Sequence, residues 1–282
     1  MRLTLSKFQP SEIKPHRTIL LIGKRGTGKS VLLEDLLGAM RERVDFAMCF
    51  TPTQDSRDMF ERHMPPSWVH GEFDEGKIDT LCSFQRTKQA DRKRNVLLVL
   101  DDMMADKRVL KSTKMRDIFF NGRHEHVTYI SSQQYCLDMP PDLRSNCDYV
   151  MVLKDNILAN KQRLHKFFFG MFARFDDFSR VMDTVTANYG VLCLDNTCRT
   201  NKLSDMLSWY RASPEPGDFK LGKPIFWEMH ARAAKSKETM ATEREDAHRS
   251  RVLEERSKAR DDRIVSVQRQ DDAGHIIIED VA

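Results

Sequence analysis

Gly23 to Ser30 read G-K-R-G-T-G-K-S, which fits G-x-x-x-x-G-K-[ST] with Gly23, Gly28, Lys29 and Ser30 in the fixed places. Such a turn needs glycine because the backbone must curl until successive N–H groups point at phosphate oxygens, a path most side chains obstruct. Lys24, Arg25, Gly26, Thr27 and Val31 complete the candidate nucleotide-binding stretch. Lys29 is placed to bridge the β and γ phosphates, and the Ser30 hydroxyl to join a Mg²⁺ shell. A helix starting there adds the positive end of its dipole.

A second stretch, N-V-L-L-V-L-D-D over 95–102, is an apolar strand ending in paired carboxylates. Asp101 has the position of the acid that holds Mg²⁺, and Asp102 that of the carboxylate that orients or deprotonates an attacking water. A small-molecule kinase has no use for a second, water-activating acid, so the pair favours hydrolysis. A guanine-specific switch would show N-K-x-D, whereas 201–205 read N-K-L-S-D. The histidines in R-H-E-H-V, 123–127, lack the i, i+4 spacing that puts two rings on one helical face. The six cysteines form no C-x-x-C pair and read as reduced core thiols.

These groups must be held by a scaffold. Short apolar segments recur at 18–22, 45–50, 95–100, 127–131, 148–153 and 189–194, continuous rather than alternating, as in parallel strands covered on both faces. Helical spacing fills 30–43 and 176–190, the latter closing on Gly190 as a helix stop. The alternation predicts a layered α/β domain from about Arg17 to Arg211.

With 46 basic against 42 acidic residues and a net charge of +4, charge alone does not establish nucleic-acid binding. No apolar run approaches the roughly 18 residues a membrane span needs, and the first ten residues lack the continuous apolar segment of a secretory signal. A cytosolic or nuclear chain is expected. The division expected is a phosphate-loop core over 1–212, an irregular Pro/Gly-rich strap over 213–230 held down by Phe226 and Trp227, and a charged tail over 231–282, helical or disordered. G-H-I-I-I-E-D-V-A at the end reads as a docking peptide or a frayed terminus.

Residues 119–150, F-F-N-G-R-H-E-H-V-T-Y-I-S-S-Q-Q-Y-C-L-D-M-P-P-D-L-R-S-N-C-D-Y-V, closely resemble the genome-packaging ATPases of nucleocytoplasmic large DNA viruses, a branch of the FtsK–HerA superfamily of ring-forming DNA motors. Together with the phosphate loop and the acidic pair, the resemblance covers roughly 17–200. It implies a P-loop NTPase of the additional-strand (RecA/FtsK–HerA-like) type, a mostly parallel central sheet flanked by helices, with 127–131 lying between 18–22 and 95–100. It implies ATP and Mg²⁺, with Gln134 as the sensor beside the γ phosphate and Gln133 as the register alternative. It further implies Arg144 as an arginine finger acting across a subunit boundary, with Arg123 the other contender. Either arginine could instead be tied to a carboxylate: Asp142 or Asp148 for the first, Glu125 for the second.

The partners implied are double-stranded DNA, a homo-oligomeric ring, by resemblance a hexamer, and capsid or virion proteins. The location implied is the virion and the infected-host cytoplasm or viral factory. Clusters at 92–94 and 107–116 could grip DNA phosphates, or be ordinary solvated basic surface. One departure stands out: where the superfamily often has Asp-Glu, this chain has Asp101-Asp102. The reading expected is an ATP-driven motor that moves viral DNA into a capsid; alternatives are a cellular-type DNA translocase or helicase, and a nucleotide-controlled assembly protein without motor activity.

Overall fold

A computed structural model describes residues 3–103, 106–135, 139–234, 267–270 and 276–279. Its first unit, Met1–Glu228, is built on a sheet of nine strands. In chain order these are β1 (Ser6–Lys7), β2 (Thr18–Ile22), β3 (Phe46–Phe50), β4 (Val69–His70), β5 (Val96–Asp101), β6 (Val127–Gln133), β7 (Tyr149–Val152), β8 (Val191–Asp195) and β9 (Leu207–Tyr210). The helices are α1 (Lys29–Met40), α2 (Gln54–His63), α3 (Glu75–Arg86), α4 (Lys107–Lys111), α5 (Thr113–Asn121), α6 (Pro141–Ser145), α7 (Leu158–Phe167), α8 (Phe175–Val185) and α9 (Leu203–Met206).

The strands lie in the order β1-β9-β8-β7-β2-β6-β5-β3-β4. β6 therefore separates β2 from β5, parallel to both, with Ile22 beside Gln133 and Asp101 beside Ser132. This is the inserted strand of the additional-strand type. It brings the ends of the phosphate-loop strand, the acidic strand and the glutamine strand to one edge of the sheet.

Central strands are apolar without alternation because both faces are covered. Leu20, Leu98 and Leu100 face a core closed by α3, α5, α7 and α8. Ile19, Leu21, Leu97 and Val99 face a second core built with α1 and α2, where Leu32, Leu33, Leu36 and Leu37 are fully buried. Burying each of these leucines stabilises the fold by roughly 1.5–3 kcal/mol relative to leaving it exposed.

Three expectations need correction. β8, read as one more parallel strand, runs antiparallel to both β7 and β9. Continuous apolarity reports burial on two faces and is silent on direction, and α7 and α8 in succession return the chain reversed. Second, α8 stops at Val185, not at Gly190. Gly190 has φ −67°, and its small size is required because a Cβ there would lie 1.9 Å from the Val185 carbonyl oxygen. Third, the irregular strap is shorter than 213–230. From residue 224 the chain is helical to 234, because Pro224 occupies the first helical position, where its fixed φ fits and its missing N–H is not needed.

The strap belongs to the first unit. Leu221 N donates to His63 O (2.7 Å), Lys223 N to Asp45 O (3.0 Å), and Phe219, Leu221 and Phe226 are buried. Trp227, half-buried, donates through Nε1 to Leu221 O (2.9 Å).

The second unit is Met229–Ala282. Within the stretch expected to be helical or disordered, the described residues include two strands, β10 (Val267–Gln270) and β11 (Ile276–Glu279), which pair antiparallel with Val267 opposite Glu279. A β-branched run such as 276–278 fits a pleated strand wherever it finds a partner, which composition alone does not reveal. Most of the charged stretch, 235–266, lies outside the described residues. Among the described residues no helix is long and apolar enough to cross a membrane.

Candidate nucleotide site

The turn after β2 is held from within. Gly23 N donates to Gln133 O (3.1 Å), and the Thr27 hydroxyl donates to Lys24 O (2.7 Å). Gly26 (φ 78°) and Gly28 (φ 93°) take the left-handed backbone that side chains disfavour. A Cβ on Gly23 would lie 2.8 Å from Thr27 Oγ1 and 2.9 Å from Leu153 Cδ1. At Gly23 the loop has no room for a side chain, at Gly26 and Gly28 the backbone itself disfavours one, and α1 starts directly from the loop with Gly28 as its N-cap.

Above it lies a cavity of about 790 Å³, lined among others by Lys24, Arg25, Gly26, Gly28, Lys29, Ser30, Val31, Asp102 and Gln134. Lys29 is buried, and its Nζ lies 2.7 Å from Asp102 Oδ1. Gln134 Nε2 donates to Asp102 Oδ2 (2.9 Å). Asp102 therefore sits between lysine and glutamine. It does so from a left-handed backbone (φ 53°), a conformation Asp tolerates better than most residues.

Asp101 does not line the cavity. It is buried at the end of β5, where Thr51 Oγ1 donates to its Oδ2 (3.3 Å). Gly23 and Thr27 also lie behind the lining. The two glutamines are placed differently: Gln134, just past the end of β6, lines the cavity, whereas Gln133 is buried in the sheet and its Nε2 has no hydrogen-bond partner among the described residues.

The donors fit Mg²⁺, a hard cation that takes oxygen ligands. Ser30 is exposed and lines the cavity, and Asp101 is buried at the end of β5 with Oδ2 accepting from Thr51. Among the described residues no group of three or more His, Cys, Asp or Glu is arranged to hold a metal. Cys49, Cys82, Cys147 and Cys193 are buried; burial, with the Asp101 charge nearby, pushes the Cys49 thiol well up, and burial raises Cys147 to about 12.

Neither arginine takes the carboxylate partner named for it. Arg123 is exposed and paired with Asp148, which also meets Arg17, while Glu125 is taken by Arg86 and Lys93. Arg144 forms no salt bridge among the described residues; Nη1 donates to Met139 O (2.7 Å) and its guanidinium lies 3.9 Å from the Phe167 ring centre. Asp142 pairs with Arg116 instead. In the basic clusters Arg108 pairs with Asp106, and Lys114 with Asp79. Neither arginine lines the cavity of its own chain.

Sequence reasoning missed several participants. Asp155, buried after β7, holds Lys24 (2.7 Å), Ile157 N and the Asn160 amide, tying the loop to the start of α7. Thr51, Tyr189, Arg211 and Pro214 were also overlooked. Thr51 directly follows β3 and meets Asp101, while Tyr189, before β8, and Arg211 and Pro214, after β9, line the cavity, and only the order of strands in the sheet brings these positions together.

A family model described as Poxvirus A32 protein matches residues 6–166. The chain belongs to the poxvirus A32 protein family. Protein 075L of Invertebrate iridescent virus 6 is 33% identical over 185 residues, 65% of this chain and 72% of that one. A protein of Acanthamoeba polyphaga mimivirus is 28% identical over 240 residues, covering 81% and 84% respectively. This A32-family chain also superposes on the crystal structure of B204, the DNA-packaging ATPase from Sulfolobus turreted icosahedral virus, with TM-score 0.54 and 13% identity over 71% of this chain and 100% of the other. B204 from Sulfolobus turreted icosahedral virus 2 in complex with ATP-gammaS gives TM-score 0.50 and 13% identity, covering 71% and 99%. At that identity the likeness is one of fold.

Proposed function

We propose that this A32-family chain is an ATPase that binds ATP and Mg²⁺ at the phosphate loop and couples hydrolysis to driving double-stranded viral DNA into a capsid, working as a ring, by resemblance a hexamer. The observation that carries the proposal is Asp102 held between Lys29 and Gln134 in a cavity floored by the phosphate loop. A carboxylate beside the γ-phosphate end can take the proton of an attacking water, and an amide can accept from water while donating to phosphate. Lys29 neutralises charge on the β and γ phosphates, and the N–H groups opening α1 supply a fixed positive end. Mg²⁺, held by Ser30 and Asp101, would neutralise phosphate charge.

Arg144 is proposed to act on the site of a neighbouring subunit. Its support is that no carboxylate claims it among the described residues, whereas Arg123 is bound to Asp148. Partners in the capsid and residence in virion or viral factory follow from the same reading.

The test is the ATPase rate with and without duplex DNA across a salt series, alongside Lys29→Ala. Stimulation by DNA that falls steeply with salt is expected, since phosphate contacts release counterions. Lys29→Ala should lower turnover by about 10²–10³-fold, as loss of one preorganised charge does. Normal turnover in Lys29→Ala would overturn the ATPase. Turnover indifferent to DNA would instead favour a nucleotide-controlled assembly protein, and strand separation a helicase.

A further inference from the structure

The cavity extends well beyond the phosphate loop. On one side of β2 lie β6, β5 and β3, with Gln134, Asp102 and the start of α2; on the other lie β7, β8 and β9. If the γ phosphate is managed by Asp102 and Gln134, the rest of the ligand must leave the loop on the opposite side. There the cavity is lined by Leu153 after β7, Asn188 and Tyr189 before β8, and Arg211 and Pro214 after β9.

Tyr189 is unusual in three ways. It is 69% exposed, although it stands next to a buried strand. It lies against the loop, its Cδ1 3.3 Å from where a Cβ on Gly28 would be. And it is held, with Asn188, in left-handed backbone (φ 61° and 50°), a conformation costly for a bulky residue and concentrated at functional positions. The chain can make this turn because Gly190 passes so close to the Val185 carbonyl. The result is an aromatic ring presented at the cavity wall, one side against the phosphate loop and the other open.

The geometry points to a nucleoside-binding subsite in which the Tyr189 ring stacks on the base and Arg211, a donor-only side chain, faces base or ribose acceptors. The inference rests on the phosphate loop holding a triphosphate, and it assigns the other half of the ligand. A ring face takes any base, so this subsite supplies affinity more than choice between bases.

The experiment is calorimetric titration of the full chain with ATP and with inorganic tripolyphosphate, which shares the phosphates and lacks the nucleoside. Tyr189→Ala should weaken ATP about tenfold or more and leave tripolyphosphate within about twofold. Tyr189→Phe keeps the ring and should restore ATP binding, which also guards against a folding defect. Unchanged ATP affinity in Tyr189→Ala, or an equal loss for both ligands, overturns the subsite. Wild-type protein that binds both ligands equally well overturns the subsite and spares the phosphate loop; wild-type protein that binds neither overturns both.

Discussion

Lys29 Nζ and Asp102 Oδ1 are 2.7 Å apart, so the cation on which the phosphate loop depends is already neutralised by a carboxylate from the neighbouring motif. Phosphate and Asp102 compete for one ammonium. Asp102→Asn should therefore bind ATP at least as well as wild type while hydrolysis falls by about 10²–10⁴-fold, the usual contribution of a general base. Asn also tolerates the left-handed backbone at this position, so the loop geometry survives. Single-turnover hydrolysis beside an ATP titration measures both, and normal turnover would remove Asp102 from the chemistry.

Gln134 and Gln133 should separate cleanly. Gln134→Ala removes the amide that contacts Asp102 and should lower kcat with little change in fold. Gln133→Leu replaces a buried amide whose Nε2 has no partner among the described residues, an exchange that is near neutral for stability and should leave turnover intact. The reverse pattern in kcat would shift the sensor by one residue.

For Arg144, activity across a subunit boundary is read by mixing. Arg144→Ala and Lys29→Ala proteins, each inactive alone, should recover part of the activity when combined, because some shared sites then hold an intact loop and an intact finger. Assembly without recovery would return Arg144 to a structural role on the Phe167 ring.

The helix that follows the strap contributes to stability from a distance. Phe226 is fully buried, its ring 5.4 Å from those of both Phe46 and Trp68, so Phe226→Ala should cost about 3–5 kcal/mol and lower Tm by about 10 °C in a thermal melt. A melt matching wild type would mean that this helix lies outside the cooperative unit.

His16 and His126 stack with ring centres 4.3 Å apart, both in left-handed backbone. Burial first, then the facing His16 and Lys93, lowers the His126 pKa below its ordinary 6.5, against the opposing pull of Glu125. A depressed histidine favours its neutral form in the folded state, so its stability contribution is full above the ordinary pKa and is lost as pH falls through it. His126→Asn, which can keep the positive φ, should flatten the fall of Tm between neutral and mildly acidic buffer. An unchanged slope would place the acid sensitivity elsewhere.

Much of the scaffold was legible in the chain. Strands at 18–22, 96–101 and 127–133 announced themselves because two covered faces demand unbroken apolarity, and the short edge strands β1 and β4 did not because two residues carry no period. The reversal of β8 was hidden for the same reason that its burial was visible. Gly190 was read as a helix stop when its role is a close approach to Val185, a contact that a pattern of residue types does not encode.

By itself the sequence determined which groups form the candidate site: the glycine path, Lys29 and the carboxylates are specified by local spacing, since a loop of this curvature and a strand ending in acids are short-range structures. Tertiary structure decided everything that depends on strand order. It put Gln134 rather than Gln133 beside Asp102, left Asp101 beneath the cavity wall, gave Asp148 to Arg123 rather than to Arg144, and carried Tyr189 from far along the chain to the edge of the loop. The reason is geometric: a sheet converts positions distant in sequence into neighbours spaced about 4.8 Å apart, and only the completed order says which neighbours they are.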